Sequence, residues 1–184
     1  MMTKTETVAP TYSDTVAHFA NLIMQASMRD VELASRWYHE AQEVARMVAD
    51  NMGLDLIRAA CIVAAFSPRE RWSVNVRKAI EYSYGNTPSG LSNNVAMADA
   101  SLVHGFDALK GLKTNAFARA IAGDPNAVVI DVWMCRAANL GTDSPNKTQY
   151  NFVADAVRDA AALFGITPRT AQALIWIIVR GNHA

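Results

Sequence analysis

Residues 55–66, DLIRAACIVAAF, constrain this chain more than any other stretch of it. Drawn as a helix, the segment is apolar on nearly every side. A helix without a polar face has to be buried all round, so this one predicts the centre of an all-α core. The segment stops at the sequence SPRE, where Ser67 is a suitable N-cap and Pro68 a suitable first residue for the next helix.

Helical spacing of apolar residues continues on both sides of this segment. Ser13 is the candidate N-cap of the first helix. We find no convincing strand, internal repeat or low-complexity segment, although AVVIDV suits a short extended entry to a helix. The sequence therefore predicts one all-α domain at residues 12–184, after a loose tail at residues 1–11. The predicted helices cover residues 13–28, 30–51, 55–66, 68–84, 93–103, 114–122, 131–140, 147–164 and 168–180.

The composition argues against several classes of protein. The 184 residues carry 17 basic and 17 acidic side chains, so a globally basic nucleic-acid binder is not indicated, while a local basic face stays open. Two cysteines, Cys61 and Cys135, are too few for a four-thiolate metal site, and the four histidines show no ligand spacing. The N-terminus lacks a signal-peptide pattern, and no apolar run reaches the ~18 residues of a membrane span. We expect a soluble cytoplasmic protein without cofactor, metal cluster or membrane contact.

One acid stands out, in the stretch VVIDVWMCRAANLG at residues 128–141. Asp131 follows an apolar run and precedes a predicted helix. An acid in this place either caps the helix through backbone N–H groups or has a chemical role. The competing carboxylate, Asp124, stands in GDPNA and indicates a turn.

A second stretch, LKGLKTNAFARAIAG at residues 109–123, suggests an anion site. Gly111 would allow a tight turn and the close approach of another backbone. The helix that starts right after it, at Lys113 and Thr114, would point its N–H groups and the positive end of its dipole outward. That arrangement suits a phosphate, and Lys110 lies nearby in the sequence.

Together these two stretches resemble the helix-hairpin-helix DNA glycosylase superfamily of the endonuclease III type. In that family a Gly-rich hairpin ends in Lys-Thr, continues into a helix, and reaches an apolar segment followed by Asp, Arg and Leu-Gly. The resemblance covers about residues 60–141 and implies a two-lobed helical bundle with a helix-hairpin-helix-like element. The matching residues are Gly111, Lys113, Thr114, Val129, Asp131, Arg136, Leu140 and Gly141 and, more loosely, Ser67, Asn75, Lys78 and Ala79.

Three positions depart from the family pattern. Leu109 stands where the first hairpin glycine is usual, and Trp133 stands where a His commonly follows the Asp. Arg69 replaces the Gln that usually enters the DNA stack. The C-terminal region has no cysteine cluster, so the iron–sulfur cluster of some members is not expected. These departures leave the substrate and the reaction open.

A second resemblance spans most of the chain. Small proteins of phages and actinobacteria share the patterns SPRxxWxxN, GxKxxxF, GDPxAVxxDxWxxR and PxxxQAxxWxxxRG, all of which occur here. Related glycosylase-like phage proteins, the glutamyl or putrescinyl thymine pyrophosphorylases, are implicated in making hypermodified thymine. This resemblance adds base modification to base excision as a candidate reaction.

The glycosylase resemblance implies roles for individual residues. Asp131 would stabilise the positive charge that develops on the sugar, and Lys113 would attack the sugar carbon and form a Schiff base. Trp72 and Trp133 are candidates for stacking on a flipped base, with core packing as the alternative. Arg136 is expected to be structural. The candidate DNA contacts, for which solvation or helix packing is the alternative, are Arg69, Arg71, Asn75, Lys110, Gly111, Thr114 and Gln172.

Four hypotheses follow from these residues. The first is a DNA base-processing enzyme that cleaves an N-glycosidic bond, with or without abasic-site lyase activity. The second is a thymine-hypermodifying transferase on the same scaffold. The third is a non-catalytic DNA-binding module, and the fourth is a helical interaction protein. The first three share DNA as the expected partner, in the host cytoplasm if a phage encodes the chain; the oligomeric state is left open.

Overall fold

The computed structural model describes residues 10–90 and 92–181. Within them all regular structure is helical: nine α-helices and one 3-10 helix, with no strand. This confirms the predicted all-α fold, whereas the helix-hairpin-helix-like element stays a prediction. Most of the predicted tail, at residues 1–9, lies outside the described residues. The helices are α1 (Tyr12–Met24), α2 (Met28–Met52), α3 (Leu56–Ala65), α4 (Trp72–Ser83), α5 (Ser92–His104), α6 (Leu112–Ala122), α7 (Val132–Ala137), α8 (Lys147–Leu163) and α9 (Pro168–Arg180), with the 3-10 helix at Gly105–Ala108.

α3 lies at the centre of the fold, as its apolar surface predicts. Every residue from Ala59 to Ala65 has an exposed fraction of 0%, and Phe66, which follows the helix, has 1%. The helix contacts α2, α5 and α6. Four of its ten residues are alanines, whose short side chains let neighbouring helices approach closely at the packing density of a protein interior.

The helices form two groups that share one continuous core. In the first group α5, α6 and the 3-10 helix pack around α3, next to α4. In the second group α9 packs against α1, α7 and α8. The 25-residue helix α2 joins the groups, because it contacts α3, α4 and α6 on one side and α9 on the other.

The predicted start of α4 is wrong. The sequence favours Ser67 as the N-cap and Pro68 as the first helical residue, yet α4 begins at Trp72. Arg71 occupies the N-cap position, and its side chain makes no capping hydrogen bond. Residues 68–71, which the capping pattern assigns to α4, therefore lie outside the helix.

Local and tertiary contacts explain this longer turn. Ser67 Oγ donates a hydrogen bond of 2.7 Å to the Ala64 carbonyl at the end of α3 instead of capping α4. Arg69 has φ +63°, which a right-handed helix does not allow. Next to it, Glu70 pairs with the buried Lys78 Nζ of α4 at 2.5 Å. These contacts hold the turn against α3 and α4.

Other helix boundaries move for simpler reasons. Thr11, not Ser13, accepts the N-terminal hydrogen bond of α1. Ser27 and Asp30 form a reciprocal capping box, so α2 begins two residues before its predicted start. α7 ends before residue 140, since Asn139 takes the left-handed conformation at φ +51°.

The segment before α7 is buried and non-helical, as AVVIDV predicts. The Tyr150 hydroxyl of α8 donates to the Val128 carbonyl at 3.0 Å and accepts from the Ile130 N–H at 3.3 Å. Burial raises the pKa of Tyr150 to about 12, so the hydroxyl stays protonated and able to donate. The Tyr150 hydroxyl thus supplies the hydrogen bonds that a helix would otherwise provide for these backbone groups. It also holds the backbone directly before Asp131 in place.

We expect Tyr150→Phe to lower the free energy of unfolding by about 1–3 kcal/mol, because it leaves two buried backbone groups without a partner. Urea denaturation followed by circular dichroism measures the change. Tyr84→Phe is the matched control, since Tyr84 is 69% exposed. Equal losses in the two variants would contradict the bridging role of Tyr150.

Candidate functional site

A cleft of about 340 Å³ lies where the two groups of helices meet. Its volume is at the lower end of the range, roughly 300–1,000 Å³, of small-molecule sites in proteins. All four tryptophans of the chain line it. Of the candidate catalytic, stacking and DNA-contact residues predicted from the sequence, those that line the cleft are Asp131, Lys113, Arg69, Arg71, Asn75, Trp72, Trp133 and Gln172.

Asp131 caps α7 and also lines the cleft. Its Oδ1 accepts hydrogen bonds from the backbone N–H groups of Trp133 and Met134, at 3.0 and 3.1 Å. Its Oδ2 accepts a third hydrogen bond from the indole N–H of Trp176 in α9, at 2.9 Å. A carboxylate offers about four acceptor positions. Three donors therefore fix its orientation, and one position on Oδ2 is not used by the described residues.

Lys113 is the second residue of α6 and is exposed. A cation gains nothing from the helix dipole at this end of a helix. None of the ion pairs among the described residues involves Lys113. Lys113, Arg69 and Asp131 also line a second depression that adjoins the cleft. The amine and the carboxylate thus share one surface, although they are eighteen residues apart in the chain.

The tryptophans pack on one another as well as lining the cleft. Trp37 stacks on Trp176 with ring centroids 5.0 Å apart, and its centroid lies 5.4 Å from that of Trp72. Trp72 meets the edge of Phe117 at 6.2 Å. All four tryptophans are half-buried. The same tryptophan side chains therefore pack within the protein and form part of the cleft surface.

Two buried amides lie at the floor of the cleft. Asn75 is 1% exposed, and its Nδ2 donates to the Val63 carbonyl at 3.0 Å, while its Oδ1 has no partner. An unpartnered buried acceptor costs about 1–3 kcal/mol. Gln172 is 4% exposed, and its Oε1 accepts from the Tyr38 hydroxyl at 2.5 Å. Burial, and next the charge of Asp131, raises the pKa of Tyr38 well above its usual value.

The rim of the cleft is cationic. Arg69 and Arg71 are exposed at the turn before α4. The guanidinium of Arg180 lies over the Trp176 ring, 4.5 Å from its centroid. The chain has no net charge, yet several of its cationic side chains lie around this one opening. The overall composition did not exclude a local cluster of this kind.

Three predicted contacts are not brought into the cleft. Lys110 lines a different depression, with Arg119 and Arg158, and Thr114 is half-buried in α6 outside the described lining of the cleft. Gly111 has an ordinary φ of −75° and caps α6. A Cβ there would meet only Thr114 Oγ1, at 3.6 Å. The predicted close approach of another backbone at Gly111 is therefore wrong, and nothing in its conformation requires a glycine.

Arg136 is not among the residues that line the cleft. Its guanidinium binds the Asp143 carboxylate in a bidentate way, at 3.2 and 2.8 Å. It also lies over the Trp133 ring, 5.0 Å from the centroid. Both contacts are those of a residue that fixes the loop after α7.

Sequence reasoning missed several residues of the site. Trp176 carries the clearest signal, because it follows Gln172 by four residues and so shares its helix face. Trp37 and Tyr38 belong to the apolar face of α2 and look like ordinary core residues in the sequence. Their positions beside Asp131 and Gln172 depend on how α2 packs against α9.

A family model matches residues 1–183 of the chain. The chain belongs to DUF7178, a family of unknown function. No curated protein and no solved structure matches it. Membership in DUF7178 leaves the glycosylase resemblance a prediction, so the function has to be argued from the site itself.

Other chemistries have less support in this DUF7178 member. Burial raises the pKa of the Cys61 thiol to about 12 and that of Cys135 to about 11, so neither thiol is a ready nucleophile. Among the described residues no group of three or more His, Cys, Asp or Glu side chains is placed to hold a metal ion. In the same part of the chain no single helix is long and apolar enough to cross a membrane; α8 and α9 meet those criteria only as a pair bent by 104°.

We expect the Trp176–Asp131 hydrogen bond to show an interaction energy of about 1.5 kcal/mol or more, because its acceptor is a carboxylate. A double-mutant cycle of Trp176→Phe and Asp131→Ala in urea denaturation measures it. Trp37→Phe replaces Trp176→Phe in the control cycle, since the Trp37 indole donates to no described carboxylate. Additive losses in both cycles would show that the hydrogen bond contributes nothing.

Proposed function

We propose that this protein is a DNA base-processing enzyme that cleaves the N-glycosidic bond of a base held in the cleft. The observation that carries the proposal is that Asp131 and Lys113 line one aromatic cleft with a cationic rim. The proposal places the reaction in the cytoplasm, which is that of the host if a phage encodes the protein.

The cleft suits a base that has left the DNA stack. An enzyme that acts on the glycosidic bond has to extract its nucleotide from the duplex or take it from a single strand. The aromatic walls would contact the faces of the base, and Arg69 and Arg71 at the rim would contact phosphates on either side of it. Neither arginine forms an ion pair within the described residues, so both are available for phosphate.

Asp131 would act on the sugar. As the bond to the base breaks, its electron pair leaves with the base and positive charge develops on the sugar ring. A carboxylate whose orientation is already fixed stabilises that charge without reorganisation. The unused acceptor position on Oδ2 would face the sugar or accept a proton from an attacking water.

Lys113 would supply the alternative nucleophile. Its neutral amine would attack C1′ of the sugar as the base leaves with the electron pair of the glycosidic bond. Loss of a proton from the nitrogen, and cleavage of the C1′–O4′ bond with protonation of O4′, would then give a Schiff base. Removal of a proton from C2′ would then expel the phosphate on C3′ by β-elimination and cut the strand. The position of Lys113 at the start of α6, without an acidic partner among the described residues, keeps the amine accessible.

A second candidate function is a non-catalytic DNA-binding module. The capping role of Asp131 favours it, because that role already explains an acid at this position. The two candidates share the cationic rim and differ in whether the Asp131 charge is needed after DNA has bound.

We expect borohydride to trap a covalent adduct between the wild-type protein and an oligonucleotide with an abasic site. Lys113→Ala should lower the adduct yield more than tenfold, because the Schiff base requires that amine. Lys110→Ala is the matched control, since Lys110 lines a different depression. If Lys110→Ala abolishes the adduct and Lys113→Ala does not, the assignment of the nucleophile is wrong.

Asp131→Asn distinguishes the candidates, because asparagine keeps an acceptor for the helix cap and loses the charge. The enzyme would lose base release by roughly 100-fold or more, whereas a binding module would keep its salt-sensitive DNA affinity and show no base release in either form. Without an adduct or base release across a panel of modified-base oligonucleotides, the glycosylase proposal fails. The transferase hypothesis then predicts a modified thymine, visible by mass spectrometry only in DNA from cells that carry the gene.

A further inference from the structure

One of the residues that line the cleft carries a buried polar atom that the protein leaves unsatisfied. Two buried side-chain atoms in the described residues lack a hydrogen-bond partner, Asn75 Oδ1 and Asn94 Nδ2. Of the two residues, Asn75 lines the cleft and Asn94 does not. Buried polar groups without partners are rare, and one at the floor of a ligand-sized cleft indicates a group that the ligand supplies.

The polarity of the Asn75 amide is determined by its other end. Nδ2 lies 3.0 Å from the carbonyl of Val63, which can only accept a hydrogen bond. The remaining atom, Oδ1, is therefore an acceptor. A ligand that satisfies it has to present an N–H or O–H donor.

The residues that line the cleft also restrict the kind of molecule that can supply this donor. Trp37, Trp72 and Phe117 line the same cleft as Asn75, and the three rings contact one another. Aromatic walls favour a planar ring with π-faces. The combination of an aromatic lining and a buried acceptor matches a planar nitrogen heterocycle that carries an N–H group on its edge.

We propose that Asn75 determines the specificity of the cleft by accepting a hydrogen bond from an N–H group on the edge of a nucleobase. The choice of a nucleobase rests on the proposed function; the requirement for a donor rests on Asn75 alone. Each standard base carries such an N–H on its pairing edge, as a ring imide or an amino group. Asn75 therefore selects for a free pairing edge, which a base presents only when it is unpaired.

Binding of nucleosides tests the proposal directly. Each of the four 2′-deoxynucleosides is compared with the analogue in which N-methyl groups replace the N–H groups of its pairing edge. Because all four tryptophans line the cleft, intrinsic fluorescence reports binding. We expect the preferred nucleoside to bind wild-type protein about tenfold more tightly than its methylated analogue.

Asn75→Leu separates the hydrogen bond from the bulk of the added methyl groups. Leucine has a similar size and no acceptor. In this variant the preference for the nucleoside over its methylated analogue should therefore fall below about threefold, while the methylated analogue binds as tightly as it does to wild type. Asn94→Leu is the matched control, since it removes the other unpartnered buried amide, and it should keep the full ratio. Asn75→Ala repeats the comparison if Asn75→Leu does not fold.

Three results would overturn the proposal: no nucleoside binds, wild type does not discriminate against the methylated analogue, or the ratio survives in the Asn75 variants. Base release from oligonucleotides is measured separately in the same variants. Release that does not depend on Asn75 would leave the proposed function standing and this inference wrong. Discrimination through Asn75 without any base release would leave a base-recognition site in a protein that is not a glycosylase.

Discussion

The complete burial of residues 59–65 of α3 is the constraint on which the rest of the structure depends. Since residues 59–65 of this helix have no exposed surface, other helices surround them, and the carbonyl groups at the end of α3 need partners inside the protein. The Ala64 carbonyl receives the hydroxyl of Ser67, and the Val63 carbonyl receives the amide of Asn75. The turn before α4 and the floor of the cleft are built from these two partners.

The cleft is held by residues that also hold the fold. Asp131 ends the buried segment, caps α7 and binds Trp176 of α9. Tyr150 holds the same segment from α8. A carboxylate fixed by three N–H groups on helical elements is preoriented, which is a requirement for electrostatic stabilisation of a developing charge. Because the same three hydrogen bonds also hold α7 and α9, we expect substitutions of Asp131 to change both the stability of the fold and the activity.

The distribution of charge matters more here than its sum. The chain is neutral, yet Arg69, Arg71 and Lys113 are exposed around one aromatic opening. Such an arrangement favours an anionic ligand with a planar ring, which is the chemistry of a nucleotide. DUF7178 is a family of unknown function. The proposal of base processing therefore rests on this arrangement and on the presence of Asp131 and Lys113 in the same cleft.

The sequence by itself determined that the chain is helical, the approximate positions of the helices and the buried position of α3, and it offered capping as one of two roles for Asp131, because these follow from hydrogen bonds and apolar spacing within a few residues. It did not determine the turn at Ser67, where a hydrogen bond back to α3 outcompetes the capping pattern. Neither did it show that Lys113 and Lys110, which are three residues apart, line different depressions. Only the tertiary structure placed Trp176 against Asp131, 45 residues away. Contacts of that kind depend on how whole helices pack, and packing is decided by the shapes of many side chains together.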